Sequence, residues 1–215
     1  MRLVIANKNY SSWSLRAWLV LTEAGIPFDE DQRSLLGPGF GADLPARRVP
    51  VLYAGELVIW DSLAIAEHLA ETFPAKQLWP RDAGARAHAR CICAEMHAGF
   101  AALRSRLPMN CELALRGIRF DRAVERDIAR VVAIWQDTRA RFGAGGPLLF
   151  GAFTIADAYF APVVLRFQGY GVELPAVARA YADAVLALPS LQRWVAAGTA
   201  EHEFVADDEP YRDHR

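Results

Sequence analysis

Three short stretches of this 215-residue chain hold residue types that can do chemistry. Asp61 and Ser62 stand just before the strongly helical run Ala64-Ile65-Ala66-Glu67-His68-Leu69. Asp and Ser cap helix N-termini, and such a terminus carries partial positive charge and unsatisfied N–H groups that suit a carboxylate. Upstream, Val49-Pro50 opens a strand. Proline can begin a strand but not sit inside a central one, and it forces the preceding residue into an extended conformation. Val51, Leu52 and Tyr53 continue that strand, Ala54-Gly55 turns, and Leu57, Val58 and Ile59 return. A strand edge opened by proline beside a helix start makes a cradle for a peptide-like ligand bearing a carboxylate. The third stretch, Tyr10-Ser11-Ser12, places three hydroxyls in a polar break before a helix. Ser11 or Ser12 either caps that helix or lends its hydroxyl to a reaction.

Other chemistries find little support. Cys91, Cys93 and Cys111 make no paired framework, and Cys91-Ile92-Cys93 is too tight for an ordinary disulfide and lacks the partner pair that zinc needs. Cys91 and Cys93 read as buried small apolar residues on a helix. His68, His88, His97, His202 and His214 show no metal-ligand spacing and read as surface or satisfied core residues, so no metal is expected. A net charge of −1 with no basic half argues against nucleic acid. No apolar run approaches the ~20 residues needed to span a membrane, and the N-terminus MRLVIANKNY is no signal peptide. Unpaired cysteines point to a reducing, cytoplasmic setting.

The elements that must position these residues follow from periodicity. Residues 2–6 form a short buried strand. A helix runs from Ser12 to Gly25, which ends it; an extended piece follows through Leu35. Residues 37–48, with three glycines and two prolines, form a loop. The strand–turn–strand–helix unit comes next. Residues 76–83 form a linker between a mixed α/β domain (1–75) and an all-helical domain (84–215). Asp82 caps one helix from Ala83 to about Arg106, with Ile92, Met96, Phe100 and Leu103 on one face. A second helix spans Asp121 to about Phe142. Thr154-Ile155-Ala156-Asp157 is a capping-box signature before a third, and two shorter helices and a polar tail complete the chain. Hydrophobic residues make up 53% of the chain, enough to bury such a core without disulfides.

The order of these units, the Val49-Pro50 and Asp61-Ser62 pair around a hairpin, and the run Phe150-Gly151-x-Phe153-Thr154-Ile155-Ala156-Asp157 together resemble the cytosolic glutathione S-transferase superfamily. The resemblance covers nearly the whole chain. Tyr10-Ser11-Ser12-Trp13-Ser14-Leu15-Arg16 is similar to the Ser-Ser-Cys-x-x-Arg signature of the zeta, maleylacetoacetate isomerase-like branch, with Trp13 where that signature has Cys and Leu44-Pro45 where an Asn-Pro is usual.

The resemblance implies a thioredoxin-like N-terminal domain followed by a helical-bundle C-terminal domain, with glutathione as co-substrate. The Val49–Pro50 peptide bond is then cis, and the Val49 backbone pairs with the glutathione cysteine like an added strand. Asp61 meets the γ-glutamyl ammonium, and Ser62 with the helix start meets its carboxylate. Ser11 becomes the thiolate donor, with Ser12 as runner-up and Tyr10 a weaker alternative; Arg48 reaches the ligand or stays a surface arginine. Arg16 is a structural ion-pair partner. A largely apolar electrophile binds beside Tyr10, Trp13, Met96, Phe100 and Arg104. The expected activity is glutathione transfer; the alternatives are glutathione-dependent cis–trans isomerisation and a non-catalytic glutathione-binding protein. A homodimer is expected. A thiol–disulfide oxidoreductase is disfavoured, because no cysteine lies in the first 90 residues.

Overall fold

The computed structural model describes residues 1–212; His214 lies outside them. The N-terminal half carries β1 (Arg2–Ile5), α1 (Ser12–Glu23), β2 (Asp29–Gln32), β3 (Val51–Ala54), β4 (Leu57–Ile59) and α2 (Ser62–Thr72). The sheet order is β2-β1-β3-β4, with β1 and β2 parallel and the other pairs antiparallel. This is the thioredoxin-like arrangement.

β1 is central and covered on both faces, which is why Leu3, Val4 and Ile5 form an unbroken apolar run after Arg2. Leu3 and Ile5 join the main core with α1 and α2. Val4, one residue out of phase, packs with Val51 and Leu44 on the opposite face. The β3–β4 hairpin turns at Gly55, whose φ of +63° favours glycine.

The second half is helical: α3 (Ala83–Ala98), α4 (Ala101–Arg106), α5 (Arg122–Phe142), α6 (Ile155–Gly169), α7 (Ala176–Leu186) and α8 (Pro189–Thr199). The helix expected over 83–106 is two helices. α3 stops at Gly99, and Phe100 takes a left-handed φ of +59° before α4 starts. The break sends the Phe100 ring into the core.

α6 is the axis of the molecule. Nearly every residue in it is buried, and it packs against both α1 and α3. Its start is fixed by the Thr154–Asp157 capping box: Asp157 accepts the Thr154 N–H at 2.8 Å and the Leu149 N–H at 3.1 Å. The two halves share one continuous apolar core. α8 closes on the loop ahead of α1, where the Trp194 indole donates to the Lys8 carbonyl at 2.9 Å. No described helix is long and apolar enough to cross a membrane.

Candidate active site

The polar break between β1 and α1 is held from below and from the tail. Asn7 Nδ2 donates to Glu203 Oε2 at 3.0 Å, and the backbone N–H groups of Lys8 and Asn9 donate to the Glu201 carboxylate at 2.6 and 3.2 Å. This fixed loop delivers Ser11 as the N-cap of α1. Its Oγ accepts the Ser14 N–H at 3.4 Å and donates to Ser14 Oγ at 2.7 Å, and Ser14 Oγ in turn accepts the Ala6 N–H at 3.1 Å. Ser11 therefore caps the helix and, half-buried, also faces a cavity of about 630 Å³. Ser12 faces the same cavity and accepts a hydrogen bond from Arg166 Nη2 at 3.3 Å.

A second cavity of about 550 Å³ adjoins the first, and Trp13, Arg48, Val49 and Arg104 line both. It is bounded by the cis Val49–Pro50 pair and by Asp61 and Ser62 at the start of α2. Asp61 caps α2 through Oδ1, which accepts the Leu63 N–H at 3.0 Å. Ser62 is fully buried in the wall, its hydroxyl 3.1 Å from the Tyr159 hydroxyl. Arg48 is exposed at the rim.

The expected residues thus separate. Ser11, Ser12, Tyr10, Trp13, Arg48, Val49, Pro50, Asp61, Ser62 and Arg104 all line this double cleft. Met96 and Phe100 do not. Met96 is fully buried beside Ile92 and Cys93, and Phe100 is turned inward by the break at Gly99. The Tyr10 hydroxyl is already committed, its one hydrogen donated to Glu209 Oε1 at 2.6 Å, with the Glu203 carbonyl a second acceptor 3.1 Å away. Burial and the Glu209 carboxylate push its pKa well up, and its hydrogen is engaged by Glu209. Cys93 is buried as expected, whereas Cys91 is exposed.

Arg16 has no carboxylate within ion-pair distance among the described residues, contrary to the ion pair expected of it. It is buried with Nε and Nη1 unpartnered, and its guanidinium lies 4.3 Å over the Trp13 ring and 4.8 Å over Tyr159. Burial lowers its pKa to about 10.

Three residues here escaped sequence reasoning. Arg166, on α6, is buried and donates to the Leu107 and Pro162 carbonyls as well as to Ser12. Burial, reinforced by Arg16 and Arg104, lowers its pKa to about 9. His97, at the end of α3, sets Nε2 3.1 Å from Asp61 Oδ2. Asp208, from the tail, faces the larger cavity, and burial raises its pKa. An arginine inside an otherwise apolar helical run, Arg166 among Val163, Val164, Leu165 and Phe167, was the available signal.

Electrostatically the cleft is cationic. Arg47, Arg48, Arg104 and Arg166 line the larger cavity against one carboxylate, Asp208. A buried guanidinium without a counter-ion carries a desolvation cost that an anionic ligand offsets. No group of three or more metal-ligating side chains occurs among the described residues.

A four-stranded thioredoxin-like sheet, a helical second half and a cleft between a serine N-cap and a cis-proline turn define the glutathione transferase class of protein. The family model "Glutathione S-transferase, N-terminal domain" matches residues 10–72, and "Glutathione S-transferase, C-terminal domain" matches residues 85–197. The chain belongs to the glutathione S-transferase family.

A "Probable maleylacetoacetate isomerase" of Caenorhabditis elegans is 26% identical over 172 residues, covering 76% of this chain and 78% of the relative. Among solved structures, a glutathione transferase homologue from Burkholderia with bound glutathione aligns with a TM-score of 0.70 at 25% identity, covering 93% of this chain and 98% of that one. Maleyl pyruvate isomerase, described as a bacterial zeta-class glutathione transferase, aligns with a TM-score of 0.66 at 25% identity, covering 95% and 100%.

Proposed function

We propose that this protein binds glutathione along the Val49–Pro50 edge and the start of α2, and that Ser11 holds its thiol as the thiolate for attack on a carbon electrophile. The observation that carries this reading is that the Ser11 hydroxyl, at the N-cap of α1, opens on the same cleft as Val49 and Asp61. A thiol of ordinary pKa ~8.5 is a poor nucleophile at neutral pH. Lowering that pKa by about two units needs about 2.7 kcal/mol of preference for the anion. A hydroxyl donor, a helix N-terminus and nearby arginines supply favourable terms of that size.

The Ser11 hydrogen turns freely about its C–O bond. It can leave Ser14 for a thiolate, and the Ser14 hydrogen can then point back to Ser11 Oγ.

The cleft's cationic lining supports, beside the largely apolar electrophile expected, one that carries a carboxylate. Arg104 is half-buried, and of its nitrogens Nη1 donates to the His97 carbonyl at 3.2 Å, leaving guanidinium edge for a ligand. Arg166, in the same cavity wall and with no carboxylate at ion-pair distance among the described residues, adds positive charge. This favours a second reading within the same chemistry: the thiolate adds to the double bond of an unsaturated acid, the former double bond rotates, and expulsion of the thiolate restores it in the other geometry. The two relatives named as isomerases of maleyl compounds lend support to that reading. The homodimer and cytoplasmic location implied by the family resemblance are part of the proposal.

Calorimetric titration with glutathione tests the binding half; no heat at millimolar ligand contradicts it. Conjugation of a generic aryl halide by wild type and by Ser11→Ala tests the chemistry. Loss of turnover in the variant supports Ser11, and unchanged turnover removes it.

A further inference from the structure

Resting on the glutathione reading above, we propose that His97 is a positioning residue for glutathione recognition: it holds the Asp61 carboxylate in place to receive the α-ammonium of the γ-glutamyl end. The residue comes from the helical half, not from the thioredoxin-like half that carries the rest of the site.

The geometry is specific. Asp61 is met at both oxygens: Oδ1 accepts the Leu63 N–H at 3.0 Å, and Oδ2 lies within ion-pair distance of His97 Nε2, 3.1 Å away. One hydrogen bond and one charge contact orient the carboxylate, and an ionised carboxylate has lone pairs left over for a ligand. Asp61 itself remains about half exposed, at 55% of its side chain, so the ligand can reach it.

His97 is held just as firmly. Its ring meets Trp13 edge-on at a centroid distance of 5.2 Å and Tyr159 at 6.4 Å, and its carbonyl accepts the Arg104 Nη1 donor. Nδ1 is buried and has no hydrogen-bond partner among the described residues. Asp61 is the carboxylate within ion-pair distance of the ring among the described residues.

The neighbouring recognition residue repeats the pattern. Ser62 is met by the Tyr159 hydroxyl from α6 at 3.1 Å. Both residues at the start of α2 are thus set from across the domain boundary. Asp61 free of His97 would still cap α2, but its Oδ2 would lose the contact that keeps it turned toward the cleft.

The test compares two thiols in the full-length protein: glutathione, and glutaryl-cysteinyl-glycine, which lacks only the α-amino group. Wild type should show a lower KM for glutathione than for the analogue. His97→Leu should raise the glutathione KM about tenfold, the loss of one oriented charge contact worth about 1.4 kcal/mol. The analogue's KM and both kcat values should move less than about twofold, because the thiol end is untouched. His97→Gln, which keeps a donor, should recover most of the preference and guards against a folding artefact. Equal rises in KM for both thiols, or no change for either, overturn the proposal. Wild type that fails to bind glutathione overturns the parent reading, and the proposal with it.

Discussion

The Arg104 guanidinium lies over the Trp13 indole, 4.4 Å from the ring centre, and Arg16 lies over the same ring at 4.3 Å. Trp13 stands where the resembling signature has cysteine. The indole attracts both cations; Arg104 lines both cavities, while Arg16 is buried and lines neither. The tryptophan thereby backs a cationic wall where the two cavities meet.

That wall predicts substrate charge. Arg104→Met should lower kcat/KM for a carboxylate-bearing electrophile on the order of 100-fold, the usual scale for truncating one partner of a buried charged contact. An uncharged aryl halide should change by only a few-fold. Parallel steady-state measurements with the two electrophiles check this, and equal losses would show that Arg104 supports the fold and not the substrate.

Asp157 predicts a pH dependence. Burial raises its pKa from the ordinary carboxylate value to about 6, against the hydrogen bonds that lower it. A folded-state pKa above the unfolded one means that the folded state binds more protons between the two values. Its contribution to stability is therefore complete below about pH 4 and is lost as pH rises to about 6, by on the order of 2–3 kcal/mol. Asp157→Asn should remove this fall. Denaturant melts of both proteins from pH 4 to 7 read it as a difference that narrows toward low pH for the acid form, independent of the exposed carboxylates common to both.

Gly198 predicts a packing effect felt at the site. A Cβ there would come within 2.9 Å of the Asn9 backbone nitrogen and 3.0 Å of the Lys8 carbonyl carbon. Gly198→Ala must push α8 off the loop that leads into Ser11. The expected cost is about 1–3 kcal/mol, the range for overpacking a tight contact, and turnover should fall more than at a control position such as Ala197→Ser. Thermal unfolding and aryl halide turnover measured together check it.

Local signals carried much of this structure. Ser11, Asp61 and Asp82 are helix caps whose residue types announce themselves, and Val49-Pro50 marks the cleft edge because proline restricts its neighbour. The Thr154–Asp157 box was equally plain. The failures came where a long-range contact overrode local pattern. Phe100 continued the apolar spacing of α3, and nothing local indicated that a non-glycine residue would take a positive φ there. Arg16 and Arg166 lie on helices buried on all sides, where periodicity no longer says which face a charge meets. His97 gains its meaning from Asp61, thirty-six residues away on another element.

The central claim is that Ser11 stabilises the glutathione thiolate. Ultraviolet titration of bound glutathione, following thiolate absorbance against pH, measures that directly. The bound thiol in wild type should ionise about two pH units below the free thiol, and Ser11→Ala should return it most of the way, while Ser12→Ala should not. An unshifted thiol in wild type, or a shift that survives Ser11→Ala, would contradict the account.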